Sequence, residues 1–92
     1  MTDTVTRIFE IVNEKGLHAR ASAKFVSTVE ARDAEAVVSR DGMVVSGDSI
    51  MGLLMLGAAK GTQIEVRTSG AEAEALAQDL KSLVENRFDE GK

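Results

Sequence analysis

Glu35-Ala36-Val37-Val38-Ser39-Arg40-Asp41-Gly42-Met43-Val44-Val45-Ser46 contains two short apolar runs parted by Asp-Gly. A type I′ turn needs positive φ at both central residues, and Asp-Gly meets that need with little strain. The stretch therefore reads as a hairpin, with strands over Glu35–Arg40 and Met43–Ser46. Toward the amino terminus, Val5 to Val12 is β-branched and aromatic with Val5, Phe9 and Ile11 at alternate positions, which predicts another strand. Asn13-Glu14-Lys15-Gly16 then reads as a turn. From Ala19 to about Glu30 the period changes: Ser22, Phe25, Val26 and Val29 form one helical stripe, and Arg20, Lys24, Ser27 and Thr28 fall off it into solvent. Toward the carboxyl terminus, Ser49 precedes a short helix over Ile50–Leu56 closed by Gly57. Thr62 to Thr68 alternates, with Ile64 and Val66 on one face and Gln63, Glu65 and Arg67 on the other. Ser69-Gly70-Ala71-Glu72 fits a capping box for a last helix whose Ala73, Leu76, Ala77, Leu80, Leu83 and Val84 face inward. Asp89–Lys92 is expected to fray. The order strand, helix, strand, strand, helix, strand, helix predicts an α+β domain, one sheet with helices on a single face. A ferredoxin-like arrangement shares the first six elements, so order alone leaves topology open.

Ninety-two residues suffice for one domain, expected over 1–92 with an ordered core from about 5 to 88. Apolar residues make up 43% and charged residues 28%, a globular balance. There is no cysteine, which excludes a disulfide framework, a thiolate zinc site and a thiol nucleophile. Phe9, Phe25 and Phe88 are the only aromatics and the net charge is −4, a poor composition for binding nucleic acid. Met1-Thr2-Asp3-Thr4-Val5 lacks the basic flank and apolar core of a signal peptide. The longest nearly continuous apolar stretch, Ile50 to Ala59, is about half a membrane span. The expectation is a cytoplasmic protein without membrane insertion.

Charge is unevenly distributed. Between Lys15 and Val29 the ionisable side chains are Lys15, His18, Arg20 and Lys24, with no carboxylate among them. This basic island holds the chain's one histidine and suits an anionic ligand. His18 lies between the turn and the first helical residue, where backbone N–H groups lack intrahelical acceptors and the helix dipole is positive. A phosphoryl group on the imidazole would meet those donors together with Arg20 and Lys15. Imidazole is nucleophilic and largely neutral near pH 7. The plainer alternative is a capping histidine with no chemistry. No metal or cofactor is expected, since one histidine and no cysteine leave only carboxylates as further ligands, and none lies between Lys15 and Val29.

Ser49 is a good helix N-cap, and a helix start also tolerates a phosphate there. Ile50-Met51-Gly52-Leu53-Leu54-Met55-Leu56 is apolar all round. Leu53 and Leu56 are spaced to face the core, which leaves some of Ile50, Met51, Leu54 and Met55 exposed as a docking patch unless loops or the final helix cover them. Glu72, Glu74, Asp79 and Glu85 read as a solvated helix face.

Gly16-Leu17-His18-Ala19-Arg20-Ala21-Ser22 followed by Ser49-Ile50-Met51-Gly52-Leu53-Leu54-Met55-Leu56-Gly57 resembles the histidine-containing phosphocarrier family HPr of the phosphoenolpyruvate-dependent phosphotransferase system. The likeness runs from Val5 to about Phe88. It implies an open-faced β-sandwich, βαββαβα, whose four-stranded antiparallel sheet has the order 1-4-2-3 and carries three helices on one side. It also implies that His18 accepts phosphate from phosphorylated enzyme I on Nδ1, as a pros-phosphohistidine, and passes it to a histidine of an enzyme IIA. Arg20 matches the family's active-centre arginine, and Ser49 the serine modified by an ATP-dependent kinase/phosphorylase. Ala19, Lys24, Ile50, Met51, Leu54 and Met55 match docking positions. The implied protein is a monomeric carrier, not a free-standing enzyme. Ala21 stands where the family usually has proline; some alphaproteobacterial members are similar here, and in that branch the phosphorelay often regulates metabolism instead of importing sugar. Alanine also suits a helix start, so the reaction is expected to be unaltered. A rival reading is a regulatory binding module acting through Ile50–Met55 with His18 inert.

Overall fold

A computed structural model describes residues 4–91; what the sequence suggested for Met1–Asp3 and for Lys92 lies outside the described residues. The hairpin forms as read. β2 (Glu35–Arg40) and β3 (Met43–Ser46) pair antiparallel, and Arg40 opposite Met43 closes the ladder. Asp41 and Gly42 at the tip have φ of 51° and 84°, the doubly left-handed geometry of a type I′ turn. β1 (Thr4–Glu10) and β4 (Gln63–Ser69) complete a four-stranded sheet in the order β1-β4-β2-β3, with every pairing antiparallel. That order settles the topology which element sequence alone left open.

The helices are α1 (Ala19–Glu30), α2 (Ile50–Met55) and α3 (Ala73–Glu85), followed by a 3₁₀ turn over Arg87–Asp89. Their inward stripes meet one face of the sheet. Phe25 from α1, Leu53 from α2, Leu76 and Leu80 from α3 pack with Ile11, Val38, Ile64 and Val66 in a single buried cluster. Each such side chain gains about 1.5–3 kcal/mol from leaving water. The other face of the sheet stays open, with Ile8 and Val44 exposed. Among the described residues no helix is long and apolar enough to cross a membrane.

Three local expectations are corrected. The capping box does not form: β4 runs through Ser69, Gly70 turns at φ 114°, and α3 starts only after Glu72. Glu72 accepts hydrogen bonds from the Asp33 backbone N–H at 2.8 Å and from the Arg32 guanidinium at 3.2 Å, contacts that no local motif encodes. Nor is the acidic face of α3 merely solvated. Arg32 bridges Glu72 and Asp79, and Arg7 reaches Glu74. The Asp33 N–H and Arg32 together hold the Glu72 carboxyl below its ordinary value. Finally, the tail is packed as far as Glu90, which is half-buried, instead of fraying from Asp89. Phe88 is fully buried, and Lys24 Nζ donates to its carbonyl at 2.7 Å. Lys24 is accordingly half-buried instead of solvated.

Candidate functional site

The site is built from the turn between β1 and α1. Phe9 and Ile11 point inward, and Asn13 continues the alternation, so this polar residue of the turn is fully buried. Its Nδ2 donates to the Gly16 carbonyl at 2.8 Å and ties the turn closed. Gly16 has φ of 66°, and a Cβ there would lie 2.5 Å from the Ala58 carbonyl oxygen. Only glycine passes so near that backbone. The next N–H, that of Leu17, donates to the same Ala58 carbonyl at 2.9 Å, and the Leu17 side chain is buried. The residue before the histidine is thus fixed on both backbone and side chain.

His18 is the N-cap of α1, with φ −80° and ψ −175°. Its carbonyl accepts the Ser22 N–H at 2.8 Å, and its ring Nδ1 accepts the Arg20 N–H at 3.2 Å. Capping and chemistry are therefore not alternatives here. The cap holds the Nδ1 lone pair at the positive end of a 12-residue helix, beside the backbone donors that would meet an anion. The ring is 27% exposed, which leaves it accessible.

In space the basic island is not free of acid. His18 Nε2 pairs with Glu90 Oε2, 72 residues away, and Asn13 Nδ2 donates to Glu90 Oε1 at 3.0 Å. Burial pushes the Glu90 carboxyl up, but the hydrogen bonds from His18 and Asn13, with the charges of His18 and Lys15, outweigh it and hold the group below the ordinary carboxylate range. An open cleft of about 600 Å³ adjoins the ring, lined by Lys15, Ala19 and Arg20 together with the carboxylate-bearing Glu14, Asp89 and Glu90. Among the described residues the Arg20 guanidinium forms no ion pair, and the side chain is exposed.

Ser49 caps α2. Its Oγ accepts the Gly52 N–H at 3.0 Å, and its carbonyl accepts the Leu53 N–H at 3.0 Å. Leu53 and Leu56 are buried, whereas Ile50 is 40%, Met51 69% and Met55 65% exposed. Leu54 is half-buried. No described loop covers this patch, and α2 packs beside α1, which carries the histidine. Sequence reasoning missed Glu90, Asn13 and the tail-holding role of Lys24. The alternation Phe9, Ile11, Asn13 was a usable sign for the second. An aromatic at position 88, two residues before Glu90, was a weaker sign that the tail is anchored.

The family model described as "PTS HPr component phosphorylation site" matches residues 5–86. The chain is 48% identical over 82 residues to the phosphocarrier protein HPr of Neisseria meningitidis serogroup B, covering 89% of this chain and 92% of that protein. It is 38% identical over 88 residues to the phosphocarrier protein NPr of Escherichia coli K12, covering 95% and 98% of the two chains. Among solved structures, that of HPr-C-His from Thermoanaerobacter tengcongensis superposes with a TM-score of 0.89 at 34% identity, over 94% of this chain and 97% of that one.

Proposed function

Because this chain belongs to the HPr family of phosphocarrier proteins, we propose that His18 is its phosphoryl acceptor and that Nδ1 carries the group. Members of the family are carriers in the phosphotransferase system, not free-standing enzymes, so turnover needs a donor and an acceptor protein. One observation carries the residue assignment: the Nδ1 lone pair faces the open N-terminus of α1, held there by the capping geometry. Phosphoryl transfer asks the protein chiefly for positioning and charge stabilisation. As the P–N bond forms, the Arg20 N–H moves its hydrogen bond from Nδ1 to a phosphoryl oxygen. The helix dipole and the Arg20 and Lys15 side chains oppose the dianion.

The donor is phosphorylated enzyme I and the acceptor a histidine of an enzyme IIA. Docking uses Ala19, Lys24 and the exposed side of α2, namely Ile50, Met51, Leu54 and Met55. The role is that of a monomeric cytoplasmic protein, with residues 1–92 working as one domain. Ala21 and the acidic net charge support an alphaproteobacterial-like branch. Incubation with enzyme I and labelled phosphoenolpyruvate tests the carrier reading. One acid-labile, base-stable phosphoryl group per chain is expected, and absence of label would sink it.

Arg20→Ala should slow uptake by about tenfold or more, as expected when a donor to the transferring group is removed. Because the side chain is exposed, stability should stay within about 0.5 kcal/mol of wild type. A falling melting temperature with unchanged transfer rate would assign Arg20 to folding instead.

Ser49 is read as a regulatory phosphorylation site for an ATP-dependent kinase/phosphorylase. Its cap supports a comparison of two variants. Aspartate caps as well as serine, so Ser49→Asp should keep the melting temperature. A carboxylate among Ile50, Met51, Leu54 and Met55 is costly to desolvate at an interface, so the apparent Michaelis constant for enzyme I should rise. Ser49→Ala should lose about 1 kcal/mol of stability and keep enzyme I transfer. Equal enzyme I kinetics for wild type and Ser49→Asp would leave Ser49 a cap and nothing more.

A further inference from the structure

We propose that Glu90 is a positioning residue for phosphoryl transfer: its carboxylate keeps the His18 proton on Nε2, leaves the Nδ1 lone pair free, and balances the positive charge the ring acquires when Nδ1 takes the phosphoryl group. The inference rests on the reading of His18 as acceptor. Nδ1 accepts the Arg20 N–H, so that nitrogen is unprotonated, while Nε2 faces a carboxylate oxygen and carries the proton. The two contacts select the same tautomer from opposite edges of the ring. Depression of the Glu90 carboxyl below its usual range keeps the group ionised and able to accept.

The chain invests structure in delivering this carboxylate. Arg87, Phe88 and Asp89 have φ of 55°, 52° and 62°, three successive non-glycine residues in a left-handed conformation that each disfavours. Such backbone persists only where surrounding contacts hold it. Here the contacts are the buried Phe88 ring, Lys24 Nζ on the Phe88 carbonyl, and Asn13 Nδ2 on Glu90 Oε1. Asn13 also fixes the Gly16 carbonyl, so one buried amide sets both the turn before His18 and the carboxylate behind it. Glu90 is only 13% exposed. A carboxylate suits the place because both its neighbours donate: an amide would turn its NH2 toward one of them.

The charge balance is simple. Neutral His18 attacks through the Nδ1 lone pair; the N–P bond forms, and the P–N bond of the enzyme I phosphohistidine breaks with its electrons staying on the donor ring. The Nε2 proton is retained, so the His18 ring becomes cationic next to Glu90. On discharge to the acceptor histidine, the electron pair returns to Nδ1 and the ring is neutral again. Glu90 lies on the Nε2 edge, away from the entering phosphoryl group. Its role parallels that of a carboxylate orienting a histidine in a hydrolase triad.

The test compares wild type, Glu90→Ala and Glu90→Gln by imidazole ¹⁵N chemical shifts and by transfer kinetics from phosphorylated enzyme I. Wild type should show the Nε2–H tautomer in its neutral form, and both variants a mixture. Both should also lose about tenfold in kcat with an unchanged Michaelis constant for enzyme I, the lower end of what losing a histidine's orienting partner costs at metal sites. Wild-type ¹⁵N shifts and kcat in Glu90→Ala would overturn the proposal. So would a defect confined to Glu90→Ala, because the glutamine variant keeps the bulk and a defect it escapes is one of packing. The shifts are read without enzyme I: failure of wild type to take up phosphate overturns the acceptor assignment beneath the proposal, whereas unchanged shifts in the variants overturn the role of Glu90 alone.

Discussion

His18→Ala is expected to take up no phosphoryl group from enzyme I and phosphoenolpyruvate while remaining folded. The reason lies in how little of the core the ring serves. It stands 27% exposed at the start of α1, and what fixes the preceding turn is the Leu17–Ala58 backbone bond, the Asn13–Gly16 bond and the buried Leu17 side chain. Replacing the ring removes the cap to the Arg20 N–H, at a cost of about 1 kcal/mol. It removes the chain's one imidazole altogether. Loss of label with the melting transition retained separates the chemical role from the capping role. Label at wild-type level in the substituted chain would mean that the phosphoryl group resides elsewhere.

Phe88→Ala is expected to have the largest effect on stability. The ring is fully buried in the same cluster as Phe25, Leu76 and Leu80, and truncating a core phenylalanine costs about 3–5 kcal/mol. For a domain of this size that lowers the melting temperature by roughly 15 °C or more. The tail would lose its anchor as well, so amide protection from Arg87 to Gly91 should fall beyond the global effect. A change of less than about 1 kcal/mol would show that the ring is dispensable to the core and that the tail is held by polar contacts alone.

What could be read in advance divides along the range of the forces involved. The hairpin was legible to the residue, since Asp41-Gly42 specifies its turn locally and the flanking alternation fixes the register. The stripe of α1 and the cap at Ser49 were legible for the same reason: neighbours three or four positions apart decide them. Ser69–Glu72 shows the limit. It carries the letters of a capping box, but β4 needs Ser69 for its pairing with Thr4 and Glu35, and Glu72 is engaged by Arg32 and the Asp33 N–H. The tail shows it again, from the other side. Asp89 and Glu90 have the composition of a frayed end; buried Phe88 and Lys24 hold them beside His18. A window without acids, from Lys15 to Val29, therefore pointed to the candidate site and gave an incomplete account of its charge. The carboxylate arrives from 72 residues away.

The assignment of His18 Nδ1 as acceptor is tested by phosphorylating ¹⁵N-labelled protein with enzyme I and phosphoenolpyruvate and reading the phosphorus–nitrogen coupling by NMR. Coupling to Nδ1 of His18 is expected, with Nε2 still protonated. Coupling to Nε2, or phosphorus on any residue other than His18, would contradict that assignment.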